Sequence, residues 1–163
     1  MKYFLKGLVA TALLLTGSMQ AQGRSVDAPG QIFYKMPTGK IVTRDAVLQV
    51  PSRGQGDVVL KGNGQYFKAD RFFNKTVNGR TVFYVVFTEF PGARLGQEAV
   101  YRGTYSRGSN LAMYYGDVFV VSGNYASDQD LHRDLTAGDI NSDDTAKAKY
   151  VAGFYFKAAT GRP

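Results

Sequence analysis

The chain contains no cysteine, which removes disulfides, thiolate metal ligands and thiol nucleophiles from consideration. Tryptophan is also missing, histidine occurs once, as His132, and glutamate twice, as Glu89 and Glu98. These shortages weigh against enzyme chemistry. A Ser-His-Asp hydrolase would have to use His132 with Asp128 or Asp134, and no serine sits in a nucleophile-elbow pattern. A zinc site would lack its usual His and Cys ligands. The sequence therefore assigns no catalytic residue, no metal and no cofactor, and a non-enzymatic role is expected. A small periplasmic hydrolase built on His132 is the alternative from another class.

Long apolar runs are absent beyond the first residues. Met1 to Lys6 carries two lysines and no acid, Gly7 to Leu15 is apolar, and Thr16-Gly17-Ser18-Met19-Gln20-Ala21 is small and polar. A positive start, a short apolar run and a small residue before a polar stretch form a secretory signal, with cleavage expected after Ala21. The apolar run is too short for a bilayer-spanning helix, which needs about 20 residues. Leu15-Thr16-Gly17-Ser18 is similar to a lipobox with serine where the lipidated cysteine belongs, so no lipid anchor is expected. The mature chain is expected in the periplasm or outside the cell. The organisation read from the sequence is a signal peptide over 1–21, a flexible leader over 22–30 and one β-rich domain over 31–163. Without disulfides that domain must stand on its core alone, and a chain of this size buries roughly two-thirds of its unfolded surface.

Acidic charge is scarce in the first part. The formal net charge is +7, and loss of Lys2 and Lys6 with the signal leaves +5. Residues 31–107 carry twelve Lys/Arg against five acids, whereas 108–163 carry five against seven. The basic part suits an anionic partner such as lipopolysaccharide, phospholipid, nucleic acid or an acidic protein. DNA is not expected.

What the sequence has in quantity is strand and turn. Gln31–Tyr34, Ile41–Val50, Asp57–Lys61, Ala99–Ser106, Leu111–Val121 and Ala148–Ala158 read as short strands between Gly, Pro, Asn and Ser punctuation. Tyr66, Phe67, Phe72, Phe73 and Val77 lead to Asn78-Gly79, and Thr81–Phe90 follows. Asn-Gly supplies the two positive-φ residues of a type I′ hairpin turn. Both faces of 82–87 are apolar, which predicts a strand that is central or covered on both sides. Residues 126–147 are acidic and small, with one helical turn expected near Asp130–Leu135. Seven or eight strands without a 3.6-residue apolar period predict an all-β, small antiparallel β-barrel or β-sandwich. A small outer-membrane barrel is a further alternative on length alone.

Aromatics interleave with cations at Lys61, Tyr66, Phe67, Lys68, Arg71, Phe72 and Phe73. Alternation puts Arg71 with Phe73 and Lys68 with Phe72. Tyrosines crowd residues 101–125. Lys68, Arg71, Tyr101, Arg102, Tyr105, Tyr114, Tyr115 and Tyr125 are the candidate binding residues, because tyrosine gives area plus a hydrogen bond and cations hold anions. The partner class is a protein or small ligand at the cell envelope. Asp139-Ile140-Asn141-Ser142-Asp143-Asp144 is similar to the start of a calcium loop but lacks its turn glycine and its closing glutamate.

Gln97-Glu98-Ala99-Val100-Tyr101-Arg102-Gly103-Thr104-Tyr105 resembles the strand that opens the C-terminal barrel of transferrin-binding-protein-B-like surface proteins, a group with factor-H-binding and haem-scavenging members. Val151-Ala152-Gly153-Phe154-Tyr155-Phe156-Lys157 is similar to a barrel strand there. The resemblance covers these two stretches alone. The chain after the opening strand is shorter than the family's barrel, and the family's common lipid anchor is missing. The resemblance implies a barrel and a binding role, and it transfers no functional residue.

Overall fold

Strands place successive side chains on opposite faces, so a chain with two apolar parities must cover both faces of its sheet. This protein does so by curling the sheet and laying one helix on its outside. The computed structural model describes residues 25–51, 56–122, 125, 127–137 and 148–159. The expected signal peptide, the first part of the leader and the calcium-like run at 139–144 lie outside them.

Nine strands occur among the described residues: β1 (Ser25–Lys35), β2 (Ile41–Pro51), β3 (Val59–Gly62), β4 (Gln65–Lys68), β5 (Arg71–Val77), β6 (Arg80–Phe87), β7 (Gln97–Arg107), β8 (Leu111–Ser122) and β9 (Ala148–Ala159). They form one antiparallel sheet in the order β4-β3-β2-β1-β9-β8-β7-β6-β5. The fold is all-β, as the turn spacing predicts, built as one curled, barrel-like sheet. Residues 25–30, expected as part of the leader, belong to β1, where Ser25 pairs with Pro51 and Gly30 with Ala46.

The edge strands β4 and β5 are consecutive in the chain, joined by Ala69 and Asp70 alone. Ala69 N donates to Val58 O at 2.9 Å, and Asp70 N donates to Val86 O at 2.8 Å. Two residues can bridge opposite ends of a nine-stranded sheet only if the sheet curls until its edges meet. Asn63-Gly64 and Asn78-Gly79 both have positive φ (51° and 73°, 49° and 74°), the type I′ geometry that joins β3 to β4 and β5 to β6. The sequence expectation of one hairpin over 65–90 is therefore corrected: 65–68 pair with β3, and only 71–87 form the Asn78-Gly79 hairpin.

The inner face gathers Ala28, Ile32, Ala46, Leu48, Phe83, Val85, Phe87, Ala99, Tyr101, Val118, Phe154 and Phe156 into one core. A second cluster lies outside, where Val82, Tyr84, Val86, Val100, Phe119 and Val121 meet Leu131 and Leu135 of α1 (Asp128–Ala137). Ser127 Oγ accepts from Asp130 N at 3.2 Å and donates to Asp130 Oδ2 at 2.7 Å, a serine cap that starts the helix. Leu131 and Leu135 stand one turn apart on the same face, and burying each contributes about 1.5–3 kcal/mol. The helix spans ten residues, longer than the single turn expected. It explains the doubly apolar β6, which is covered on both sides although it is next to the sheet edge.

Candidate functional site

The curled sheet has two ends, and turns decide what lines each. At one end Phe90 O accepts from Ala93 N at 3.0 Å across Pro91-Gly92, with Gly92 at φ 80°, a type II turn that sets Phe90 at the rim. Gln97 N then donates to Arg94 O at 3.0 Å, and Arg94 N donates to Gln97 Oε1 at 3.2 Å, which closes the loop into β7. Opposite, the Asn63-Gly64 turn carries Gly62, Asn63 and Gln65 to the same rim. Val118 pairs with Ala152 but Phe119 pairs with Tyr150, so Val151 is an extra residue on β9, a bulge that adds it to the interior.

Between these walls lies a cavity of about 400 Å³, lined by Ile32, Tyr34, Leu60, Phe67, Phe87, Phe90, Ala99, Tyr101, Val118, Val120 and Val151, with Arg44, Asn63, Gln65 and Gln97 among its polar lining. This size and mixture fall in the ordinary range of small-molecule sites. Aromatic contacts form its inner wall: Phe87 meets Tyr101 edge-on at 5.4 Å, Tyr101 meets Phe154 at 5.4 Å, and Phe154 meets Phe83 at 6.0 Å. Beyond them, at the other end, Leu48, Phe72, Phe83, Tyr105 and Tyr114 line a smaller hollow of about 210 Å³. A larger groove, about 670 Å³, lies along the outside of β1–β3 with Lys61, Tyr66 and Tyr155 on its walls, but it is an open surface depression.

The electrostatics single out Arg44. Its parity on β2 is that of Ala46, Leu48 and Val50, so it stands on the inner side of the strand, but at the mouth, where it is exposed to solvent. Among the described residues no carboxylate pairs with it. Burial holds the Tyr34 phenol above the usual tyrosine range, and the Arg44 cation pulls it back in part. Tyr101 is pushed up further, first by burial and then by the Tyr34 phenol. Both phenols therefore stay neutral O–H groups at any ordinary pH, Tyr34 beside the Arg44 guanidinium and Tyr101 beside Tyr34.

The tyrosine-rich stretch does not form one surface. Tyr101 is inside, 6 % exposed, on the cavity wall. Tyr114 is half-buried in the smaller hollow, edge-on to Phe83, and Tyr105 stacks on it at 6.2 Å. Tyr115 is exposed on the outside. Tyr125 packs beside α1, its phenol raised by burial and by Asp134. Strand alternation scatters residues that are dense in sequence.

The candidate cations are occupied differently. Lys68 is exposed on β4 and pairs with Asp57 at 3.0 Å. Arg71 lies under the helix, where Nη2 donates to both Glu98 oxygens (3.1 and 2.9 Å) and Nη1 approaches Asp128 at 3.4 Å. Arg102 stands opposite Asp117, whose carboxyl burial raises and Arg102 lowers. Arg71 and Phe73 share the outer face as expected. Lys68 and Phe72 do not share a face, because the chain changes sheet edge between them.

His132 is not joined to Asp128 or Asp134. Its Nδ1 lies 2.7 Å from Tyr84 Oη, while Asp128 faces Arg71 and Asp134 faces Arg133. The pieces of the His132 hydrolase are thus not assembled into a relay. The sequence reading did not mark Arg44 or the cavity. The available trace was Arg44 breaking the apolar parity of 42, 46, 48 and 50.

No family model, curated protein or solved structure matches the chain.

Proposed function

We propose that this chain is an exported, non-enzymatic binding protein of the bacterial envelope or extracellular space that holds a small, mainly apolar ligand in the mouth of its curled sheet. One observation carries the reading: a mainly apolar cavity of about 400 Å³ at one end of the curled sheet, separated by an aromatic wall from the smaller hollow at the other. Apolar and aromatic walls that open to solvent gain free energy when an apolar ligand covers them. The export signal at 1–21 and the absence of a lipobox cysteine support a periplasmic or secreted protein without an anchor. The likeness of 97–105 and 151–157 to strands of transferrin-binding-protein-B-like barrels is in keeping with a binding role. The outer face supports a water-facing rather than a lipid-facing sheet. Gln31 donates to Asp45 at 3.0 Å, and Gln49 and Lys61 both reach Asp27, at 2.9 and 3.4 Å, across β1, β2 and β3. An outer-membrane barrel would present an apolar band there.

The test is native mass spectrometry of the protein purified from envelope and culture fractions, followed by titration with the neutral apolar dye Nile red. The expected result is a chain beginning at Gln22 with one small molecule bound, and saturable one-to-one dye uptake once it is stripped. Leu60→Trp, which fills the cavity wall, should abolish dye uptake. An unliganded chain that also takes up no dye would overturn the reading.

A further inference from the structure

The cavity is apolar in its depth and cationic at its mouth. Arg44 is an arginine on an inner-facing strand position, it lines the cavity, and no acid neutralises it among the described residues. The acid on the lining, Asp45, has the opposite parity, and its Oδ1 accepts from Gln31 Nε2 on the outside at 3.0 Å. A guanidinium offers only donors, five of them in a planar fork. The Tyr34 phenol beside it adds an O–H that can also donate, and Tyr101 lies next to Tyr34 on the same cavity wall. Arg44 is exposed to solvent at the mouth, so a neutral ligand would gain nothing from the guanidinium and a cationic one would be repelled, whereas an anionic head would gain a charged partner at the rim.

We infer that the ligand is an amphiphile with one carboxylate head, its apolar body in the cavity and its head held by Arg44 at the mouth. This rests on the cavity reading above and adds the ligand's chemical class to it. A single free guanidinium matches a single negative charge, and a planar carboxylate can accept two parallel N–H bonds from it. The depth of the cavity supplies no charge, so selectivity for the head is read at the rim and affinity for the body comes from Phe67, Phe87 and Phe90.

Dodecanoate and dodecanol share a body and differ in the head. Both are titrated below micellar concentration, in competition with bound Nile red. Dodecanoate should bind about ten- to hundredfold more tightly than dodecanol, the range expected for hydrogen bonds to a charged partner. In Arg44→Gln that preference should vanish, dodecanoate falling to the level of dodecanol. In Lys35→Gln, which removes an equal charge from an exposed strand end, the preference should stay. Equal binding of the two ligands by the native chain, or a preference that survives Arg44→Gln, would overturn the assignment. Loss of the preference in Lys35→Gln as well would also overturn it, since general surface charge would then be the cause. These outcomes differ from failure of the cavity reading, in which Nile red itself would not bind.

Discussion

At the scale of single residues, the interior is set by close approaches that tolerate little change. Gly103 and Gly116 face each other across β7 and β8. A Cβ on Gly103 would press on the carbonyl oxygen of Tyr115 and stand 2.8 Å from Phe154 Cζ and 3.0 Å from Phe83 Cζ. Those rings belong to the aromatic wall behind the cavity, so they cannot retreat without disturbing it. Gly103→Ala should cost about 1–3 kcal/mol by overpacking, measured as a lower urea midpoint with an unchanged slope. An unchanged midpoint would show that the wall relaxes freely. The need for small residues at 103 and 116 was not legible in the sequence, because each glycine reads locally as a weak strand position and its reason lies on another strand. Arg44 was legible in principle: on a half-apolar alternating strand, a charge on the apolar parity marks a rim or an error in register. The tyrosines misled for the opposite reason, since density along the chain says nothing about which face each one takes.

At the scale of elements, the helix is tied to the sheet by one part-buried contact between unlike groups. Tyr84 is fully buried on β6, stacked on Phe73 at 4.7 Å, and its hydroxyl meets His132 Nδ1. Burial lowers the His132 pKa, and Lys75 on β5 and Arg102 on β7 lower it further. Thr136 of the helix itself and the pair Lys75–Gln129 complete its surroundings. A histidine whose folded value lies below its unfolded value binds fewer protons when folded. Its contribution is therefore complete above the unfolded value, near 6.5, and is lost as pH falls through the folded one. Glu98 acts in the opposite sense, since burial raises its carboxyl above the usual range despite Arg71, so acidification through that range adds stability. Comparing native chain with His132→Gln cancels the Glu98 part. The difference in stability between them should shift toward the variant as pH falls from about 7.5 to 5. A pH-independent difference would show that the histidine titrates as it does in the unfolded chain. A helical turn near Asp130–Leu135 was visible in the sequence, but what its leucines cover was not. The doubly apolar run at 82–87 announced a covered strand, and only the tertiary arrangement supplied the cover.

At the scale of the whole molecule, the curl depends on a seam that pairs no strands. β4 and β5 share no ladder, so the sheet edges are held where the chain itself crosses between them. Asp70 fixes the corner to the β6 side, where its Oδ2 accepts from Thr88 N at 2.6 Å and from Thr88 Oγ1 at 2.8 Å and its own N–H donates to Val86 O, while Ala69 N–H donates to Val58 O on the other side. The corner carries neither Gly nor Pro, and the aromatic pattern runs through it, which is why 65–77 reads as one continuous approach to a hairpin. The two walls of the cavity come from opposite sides of this seam, Leu60 and Phe67 from one edge, Phe87 and Phe90 from the other. Width at the mouth is thus a property of closure. Asp70→Ala removes both bonds from Thr88 and should cost roughly 1 kcal/mol or somewhat more, the net worth of exposed hydrogen bonds. The more telling effect should be local. Amide exchange should quicken at Ala69, Asp70 and Thr88 while β7–β9 stay protected, and Nile red affinity should fall because the walls part. Asp70→Asn, which keeps an acceptor oxygen for Thr88, should retain much of both. Uniform quickening across the sheet would mean that Asp70 supports stability in general, and an unaltered dye affinity would mean that the cavity keeps its width without the Asp70 bonds.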